Sequence, residues 1–236
     1  ALGLARVLQP ERLAVIANTA DDFEHLGLYI APDLDTVMYT LAGINDAARG
    51  WGLAGESWHC LQALEALGAD SWFQLGDRDL ATHIRRTELL RAGASLSEVT
   101  AALCEQLGVA VSLLPMSDDP VRTVVDTDVG PLPFQHYFVR EQCRPRVTGF
   151  RFDGLEAAAP LPAIMDLLAD PELGLVVICP SNPFVSVDPI TRLPGLREAL
   201  VAAPAACVAV SPIVGGQAIK GPAAKMLEEL GLPVTA

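Results

Sequence analysis

Positive charge is scarce in this chain. Sixteen Lys and Arg stand against 29 Asp and Glu in 236 residues, a formal net charge of −13 at pH 7. Phosphate-backbone binding runs on clustered Lys and Arg, which argues against a nucleic-acid partner, and an anionic membrane surface is disfavoured for the same reason. An anionic small substrate stays open if local arginines or a metal offset the field. No apolar run approaches the ~18–20 residues of a membrane span, so no membrane partner is expected. No signal peptide is visible either. The five cysteines, Cys60, Cys104, Cys143, Cys179 and Cys207, are scattered and never spaced Cys-x-x-Cys. That usage points to reduced, partly buried thiols in a cytoplasmic protein rather than to disulfides or zinc. There is no P-loop, because Lys220-Gly221 reverses the Gly-Lys order. The four histidines show no metal-ligand spacing and form no Ser-His-Asp arrangement.

What is present is a large apolar fraction, 51% of residues, enough for one large α/β domain or two small ones. Leu13 to Ala17 reads as a buried strand. After a loop to Pro32, Leu34, Val37, Met38 and Leu41 recur at helical spacing with Asp33 at the N-cap. A helix from Trp58 to Gly68, a strand at Trp72 to Leu75 and a helix opening at Gly76 follow. Ser95 and Glu98 have the capping-box form ahead of Val99, Leu103 and Leu107. Val121 to Thr127 and Phe134 to Val139 read as a β-hairpin, with a further strand at Val147 to Phe152. Strands at Leu175 to Cys179 and Cys207 to Ser211 then alternate with helices over 163–169, 195–202 and 222–230. The expected fold is α/β: a Rossmann-like, mostly parallel sheet with helices on both faces and a smaller inserted α+β subdomain. The expected division is 1–93, core; 94–160, subdomain; 161–236, core again.

An acidic constellation dominates the first third. Asp21-Asp22, Asp33-x-Asp35 and Asp77-Arg78-Asp79 each fall at a junction between an apolar run and a helix. Six carboxylates converging on one sheet end would repel unless a cation or polar substrate held them. Capping explains Asp33 alone, and Asp35 can complement the helix dipole. It explains less well four carboxylates across one short loop. Arg78 can fork onto a phosphate or neutralise Asp77 and Asp79. Pro180-Ser181-Asn182-Pro183 and Ser211-Pro212 end two strands and can present backbone N–H groups and hydroxyls to phosphate. The loops after Ala17, Leu75, Cys179 and Val210 are expected at one sheet edge.

Taken together, Asn18 to Asp22, Pro32 to Leu41, Gly50-Trp51-Gly52, Leu75 to His83 and Leu113 to Val121 resemble the 2-phospho-L-lactate transferase family of deazaflavin coenzyme F420 biosynthesis. The likeness continues through Phe134-Gln135, Pro180 to Pro183, Ser211 to Ile213 and Lys220 to Ala223. It implies a Rossmann-like enzyme, commonly a homodimer, that uses Mg²⁺ to move a phosphorylated three-carbon acid from a GDP-activated donor to the ribityl hydroxyl of the deazaflavin Fo. GMP would leave. By the resemblance, Asp35 and Asp33 are catalytic, and Asp21 and Asp35 hold metal. Asp22, Asp35, Arg78, Ser181, Asn182 and Ser211 bind substrate. Asp35→Asn is expected to leave folding nearly intact. The family pattern places an opening strand and glycine-rich loop ahead of Ala1 and a tail after Ala236. At Asp188 relatives usually carry glycine. The alternative is a non-enzymatic UDP-sugar-binding regulator of the related fold family.

Overall fold

The computed structural model describes residues 1–235, and the chain forms two compact units, Ala1–Pro115 and Met116–Ala236. The first unit opens with α1 (Leu2–Ala5), β1 (Ala14–Ala17), β2 (Phe23–His25) and β3 (Leu28–Ile30). It continues with α2 (Pro32–Leu41), α3 (His59–Ala66), α4 (Asp77–Arg91), α5 (Leu96–Gln106) and β4 (Ser112–Pro115). Strands β1 and β4 pair in parallel, from Ala14 opposite Ser112 to Ala17 opposite Pro115. Parallel pairing needs a crossover, supplied here by everything between the two strands. Helix α2 buries Leu34, Asp35, Met38 and Tyr39 on one stripe, as a helix facing a core does. These join Leu53, Leu96, Val99, Leu103 and Leu113 in one hydrophobic cluster. Truncating a residue such as Leu34 would cost about 2–5 kcal/mol. The capping box at Ser95 is complete, with both reciprocal bonds to Glu98 present.

The second unit holds β5 (Arg122–Thr127), β6 (Gly130–Pro133), β7 (Val147–Asp153), α6 (Pro162–Ala169), β8 (Leu175–Ile178), α7 (Asp188–Thr191), α8 (Leu196–Ala202), β9 (Ala206–Ala209), β10 (Ile213–Val214), β11 (Gln217–Ala218) and α9 (Ala223–Glu229). Strands β6, β5 and β7 make an antiparallel sheet, and β8 pairs with β9 in parallel. Val125, Phe134, Tyr137, Val147, Val185 and Met226 form this unit's core. The α/β class expected from the sequence is present, with parallel strand pairs and flanking helices in both units.

Four local expectations fail for physical reasons. Trp72 to Leu75 is not a strand: Trp72 and Phe73 both pack on Phe23 and His25, whereas neighbours on a strand point to opposite faces. Beyond Phe134 the hairpin strand gives way to a π-helical turn at His136–Arg140. The Phe134 and Phe138 rings stack at 5.4 Å, a meeting of residues four apart that a helical turn allows. The loop after Ala17 contains the β2–β3 hairpin, whose two turn residues, Leu26 and Gly27, both have positive φ (53° and 73°). That is the pattern of a type I′ turn, here with leucine at its first position. Finally, the N-cap of α2 is Ala31, with Pro32 inside the first turn. Proline's fixed φ and missing N–H suit it to that position, so Asp33 is not the cap.

Candidate active site

Helices α2 and α4 bring five polar side chains into the interior of the first unit. Asp35 is 5% exposed, Asp79 7%, His83 2%, Arg86 1% and Tyr39 1%. The arrangement follows from spacing: Asp79, His83 and Arg86 are four and three residues apart on α4, and Asp35 and Tyr39 four apart on α2, so each set shares a face. Arg86 grips Asp35 with both ends of its fork, Nη1 donating to Oδ2 at 3.1 Å and Nη2 donating to Oδ1. Tyr39 donates its hydroxyl to Asp79 Oδ1 at 2.6 Å. The His83 ring lies between, with Nε2 3.3 Å from Asp79 Oδ2 and Nδ1 3.2 Å from Arg86 Nη1. The tautomer that suits both neighbours carries its hydrogen on Nε2 and accepts from Arg86 at Nδ1.

The electrostatics follow from burial and pairing. Burial would lower the Arg86 pKa, but the Asp35 charge overrides it and the net direction is upward. Burial pushes Asp79 up, and its bonds to His83 and Tyr39 more than offset that, leaving it below the usual carboxylate range. Tyr39 is raised by burial first and by the Asp35 and Asp79 charges next. Cys104 is pushed up to about 11, chiefly by burial and then by Asp35. One donor atom from each of Asp35, Asp79 and His83 falls within 4.8 Å of the others. The trio makes a poor cation site, because Arg86 already holds both Asp35 oxygens and His83 faces a guanidinium.

Around this network lie the acidic residues singled out from the sequence. Asp21 and Asp22 are buried at the end of β1. Tyr29 donates its hydroxyl to Asp22 Oδ2 at 2.9 Å, and Asn18 Nδ2 donates to Asp33 Oδ2 at 3.1 Å. Burial raises Asp33, against the lowering effect of Asn18. The Asp77-Arg78-Asp79 block splits three ways. Asp77 accepts from Ser57 Oγ at 2.6 Å and from the His59 and Cys60 amides, capping α3. Arg78 is exposed and donates from Nη1 to Ala54 O at 2.8 Å. Asp79 turns inward. Glu56 in return caps α4, accepting from the Arg78 and Asp79 amides at 2.9 and 2.7 Å. A Cβ at Gly76 would lie 2.3 Å from Glu56 Cδ, so this reciprocal cap requires glycine there.

A profile of the family described as 2-phospho-L-lactate transferase CofD matches residues 1–235. The chain belongs to that family. A phosphoenolpyruvate transferase of Kitasatospora aureofaciens is 43% identical over 238 residues, covering 99% of this chain and 74% of that protein. A 2-phospho-L-lactate transferase of Methanosarcina mazei is 39% identical, covering 99% and 76%. Among solved structures, protein BH3568 of Bacillus halodurans superposes with a TM-score of 0.54 at 15% identity over 82% of this chain. The chain spans only 59% of the length of that structure, and the likeness is one of fold.

In this CofD-family chain the remaining candidate residues lie in the second unit. Asn182 accepts the Phe184 amide at 3.0 Å and donates from Nδ2 to Met226 Sδ at 3.1 Å. Ser211 accepts the Ile213 amide at 3.0 Å, and Ser181, next to Asn182 in sequence, is half-buried. Asp188 begins α7, 4.0 Å from Arg192, and burial raises its pKa. Tyr39, Glu56, Asp79, His83 and Arg86 are not among the site residues expected from the sequence, yet Asp79-x-x-x-His83 puts a carboxylate and an imidazole on one helix face, where Arg86 leaves them ill suited to a cation. That pattern, with Arg86 one turn on, was available as a signal. Asp79 was instead weighed as a surface partner of Arg78. The expectation that Asp35→Asn leaves folding nearly intact is set aside by the position of Asp35, buried and held by Arg86.

Proposed function

We propose that the protein containing this chain transfers a phosphorylated three-carbon acid from a GDP-activated donor to the ribityl hydroxyl of Fo, releasing GMP. The observation that supports it best is the family match over residues 1–235. The donor group we favour is phosphoenolpyruvyl, since the Kitasatospora relative is named for that transfer and is the more similar of the two. In the step, the hydroxyl oxygen bonds to the distal phosphorus and the phosphorus–oxygen bond to GMP breaks, while the hydroxyl proton passes to a base. Asp35 is that base or the group that orients the hydroxyl. Its two bonds from Arg86 leave further lone pairs on the carboxylate, and 8% of its side chain stays exposed. The fork fixes its direction, so little reorganisation is needed when charge develops.

Mg²⁺ suits the oxygen donors at the start of the unit better than the inner trio, since it prefers all-oxygen sites. Asp21 would hold it together with the Asp35 lone pairs that Arg86 leaves free, and Asp33 would serve as the second catalytic carboxylate. When bound the ion would neutralise diphosphate charge. Asp22 and Arg78 would contact acceptor or donor, and Ser181, Asn182 and Ser211 would offer turn amides to the guanosine diphosphate. Homodimer formation and a cytoplasmic setting belong to the same reading. Among the described residues no helix is long and apolar enough to cross a membrane. The test is to incubate the full-length protein with Fo and each activated donor, with and without EDTA, and follow product by mass. Product with a GDP-activated acid, lost in EDTA and restored by Mg²⁺, is expected. Binding of UDP-sugars with no turnover of any donor would favour the regulator instead.

A further inference from the structure

The Gly50-Trp51-Gly52 turn plays no part in the chemistry above, yet its indole is held in a defined place. Trp51 is 39% exposed on a loop tied at several points. Asn45 bridges to Leu53, the Asp46 amide donates to Gly52 O at 3.0 Å, and the Gly50 amide donates to Asp46 O at 2.8 Å. Arg49 is pinned by Asp46 Oδ2 at 2.8 Å from Nε and by Leu53 O at 3.2 Å from Nη2. Its guanidinium lies 5.0 Å from the Trp51 ring and 5.1 Å from the Trp58 ring, and the two indoles meet at 65°. An arginine wedged between two indoles stiffens both. The same loop carries the support of α4. Ala54, three residues after Trp51, accepts from the Arg78 side chain, and Glu56 caps the amides of Arg78 and Asp79.

We propose that Trp51 is a stacking platform for the planar tricyclic ring of the acceptor, with Arg49 and Trp58 as its backing. This rests on the acceptor named under the proposed function and deepens it by assigning the residue that grips the ring. A pre-stiffened indole loses little rotamer freedom on binding and offers a broad apolar face. Its connection through Ala54 to Arg78 would set ring recognition on this loop beside polar recognition from the start of α4.

The test titrates the full chain with Fo, reading the dissociation constant and the shape of the deazaflavin absorbance band. Wild type is compared with Trp51→Ala, Trp51→Leu and Trp51→Phe, each checked by thermal melting. Trp51→Ala and Trp51→Leu should weaken Fo binding by about tenfold to a hundredfold, the range for removing an aromatic stacking partner, and abolish the band perturbation. Trp51→Phe should recover most of both. The leucine variant keeps apolar bulk for the loop, so it decides the matter if the alanine variant melts early. Wild-type affinity and band shape in Trp51→Leu would overturn the platform while leaving the acceptor reading in place. A wild-type chain that binds no Fo would overturn both together.

Discussion

In the first unit the polar residues of interest are side chains buried against one another: Arg86 on Asp35, Tyr39 on Asp79, His83 between. In the second they sit on turns, and Asn182 and Ser211 spend their side chains on amides two residues ahead. The contrast separates two ways of making a recognition surface. A buried charge pair fixes one carboxylate in one direction and leaves nothing to rearrange. A turn held by its own side chain instead presents backbone groups, which suit the spread charge of a phosphate. The two units should therefore respond very differently to substitution.

The largest effect is expected at the buried pair. Arg86→Met or Asp35→Asn leaves a partner charged and buried, a loss of about 3–5 kcal/mol in chemical denaturation when one side of such a pair is removed. The double change Asp35→Leu with Arg86→Met should be far milder than the sum of Asp35→Leu and Arg86→Met made singly. Additive losses would mean the pair is not coupled as the geometry indicates. On the catalytic side, Asp35→Asn in the full-length protein should lower kcat by roughly 10²-fold or more, measured on the fraction that remains folded. A near-native kcat would return Asp35 to a purely structural role.

Next comes the reciprocal cap. Gly76→Ala should push Glu56 off the start of α4 and cost about 1–2 kcal/mol, and Glu56→Ala should cost about the same. The two should not add, because both remove one cap. In the second unit Asn182→Ala should cost only about 1 kcal/mol. A loss there as large as at Arg86 would erase the contrast between the units.

The smallest effect is one of pH. Asp77 has its pKa lowered to about 2, first by the Ser57 hydroxyl and then by the Cys60 amide. A carboxylate depressed below its unfolded value of about 3.9 adds stability that is complete above that value. The contribution fades as pH falls from about 4 to about 2. Denaturant midpoints of wild type and Asp77→Asn should thus differ at pH 6 and converge near pH 2. A difference that persists at pH 2 would show that the α3 cap does not depend on the charge.

Much of the fold was legible from periodicity and punctuation. The helices at Leu34, Val99 and Ile164 follow apolar spacing, and the Ser95–Glu98 capping box is local chemistry that a four-residue window contains. Short strands were harder. Ser112 to Pro115 has little pattern of its own, and its pairing with Ala14 to Ala17 is set by a partner almost a hundred residues away. Trp72-Phe73 has strand-like composition, but its rings are claimed by Phe23 and His25, and tertiary contact overrides propensity.

By itself the sequence determined the family, the α/β class and the cluster of acidic residues at helix starts, because each is written in local order and spacing. Only the tertiary structure decided which acid does what. Asp77, Asp79 and Asp35 are alike as residues, and their surroundings separate them: one caps α3, one accepts from Tyr39 inside the core, and one is held by an arginine 51 residues along the chain. The fate of a carboxylate depends on the donors that reach it and the water it loses. Both are set by packing between helices that no short stretch of sequence contains.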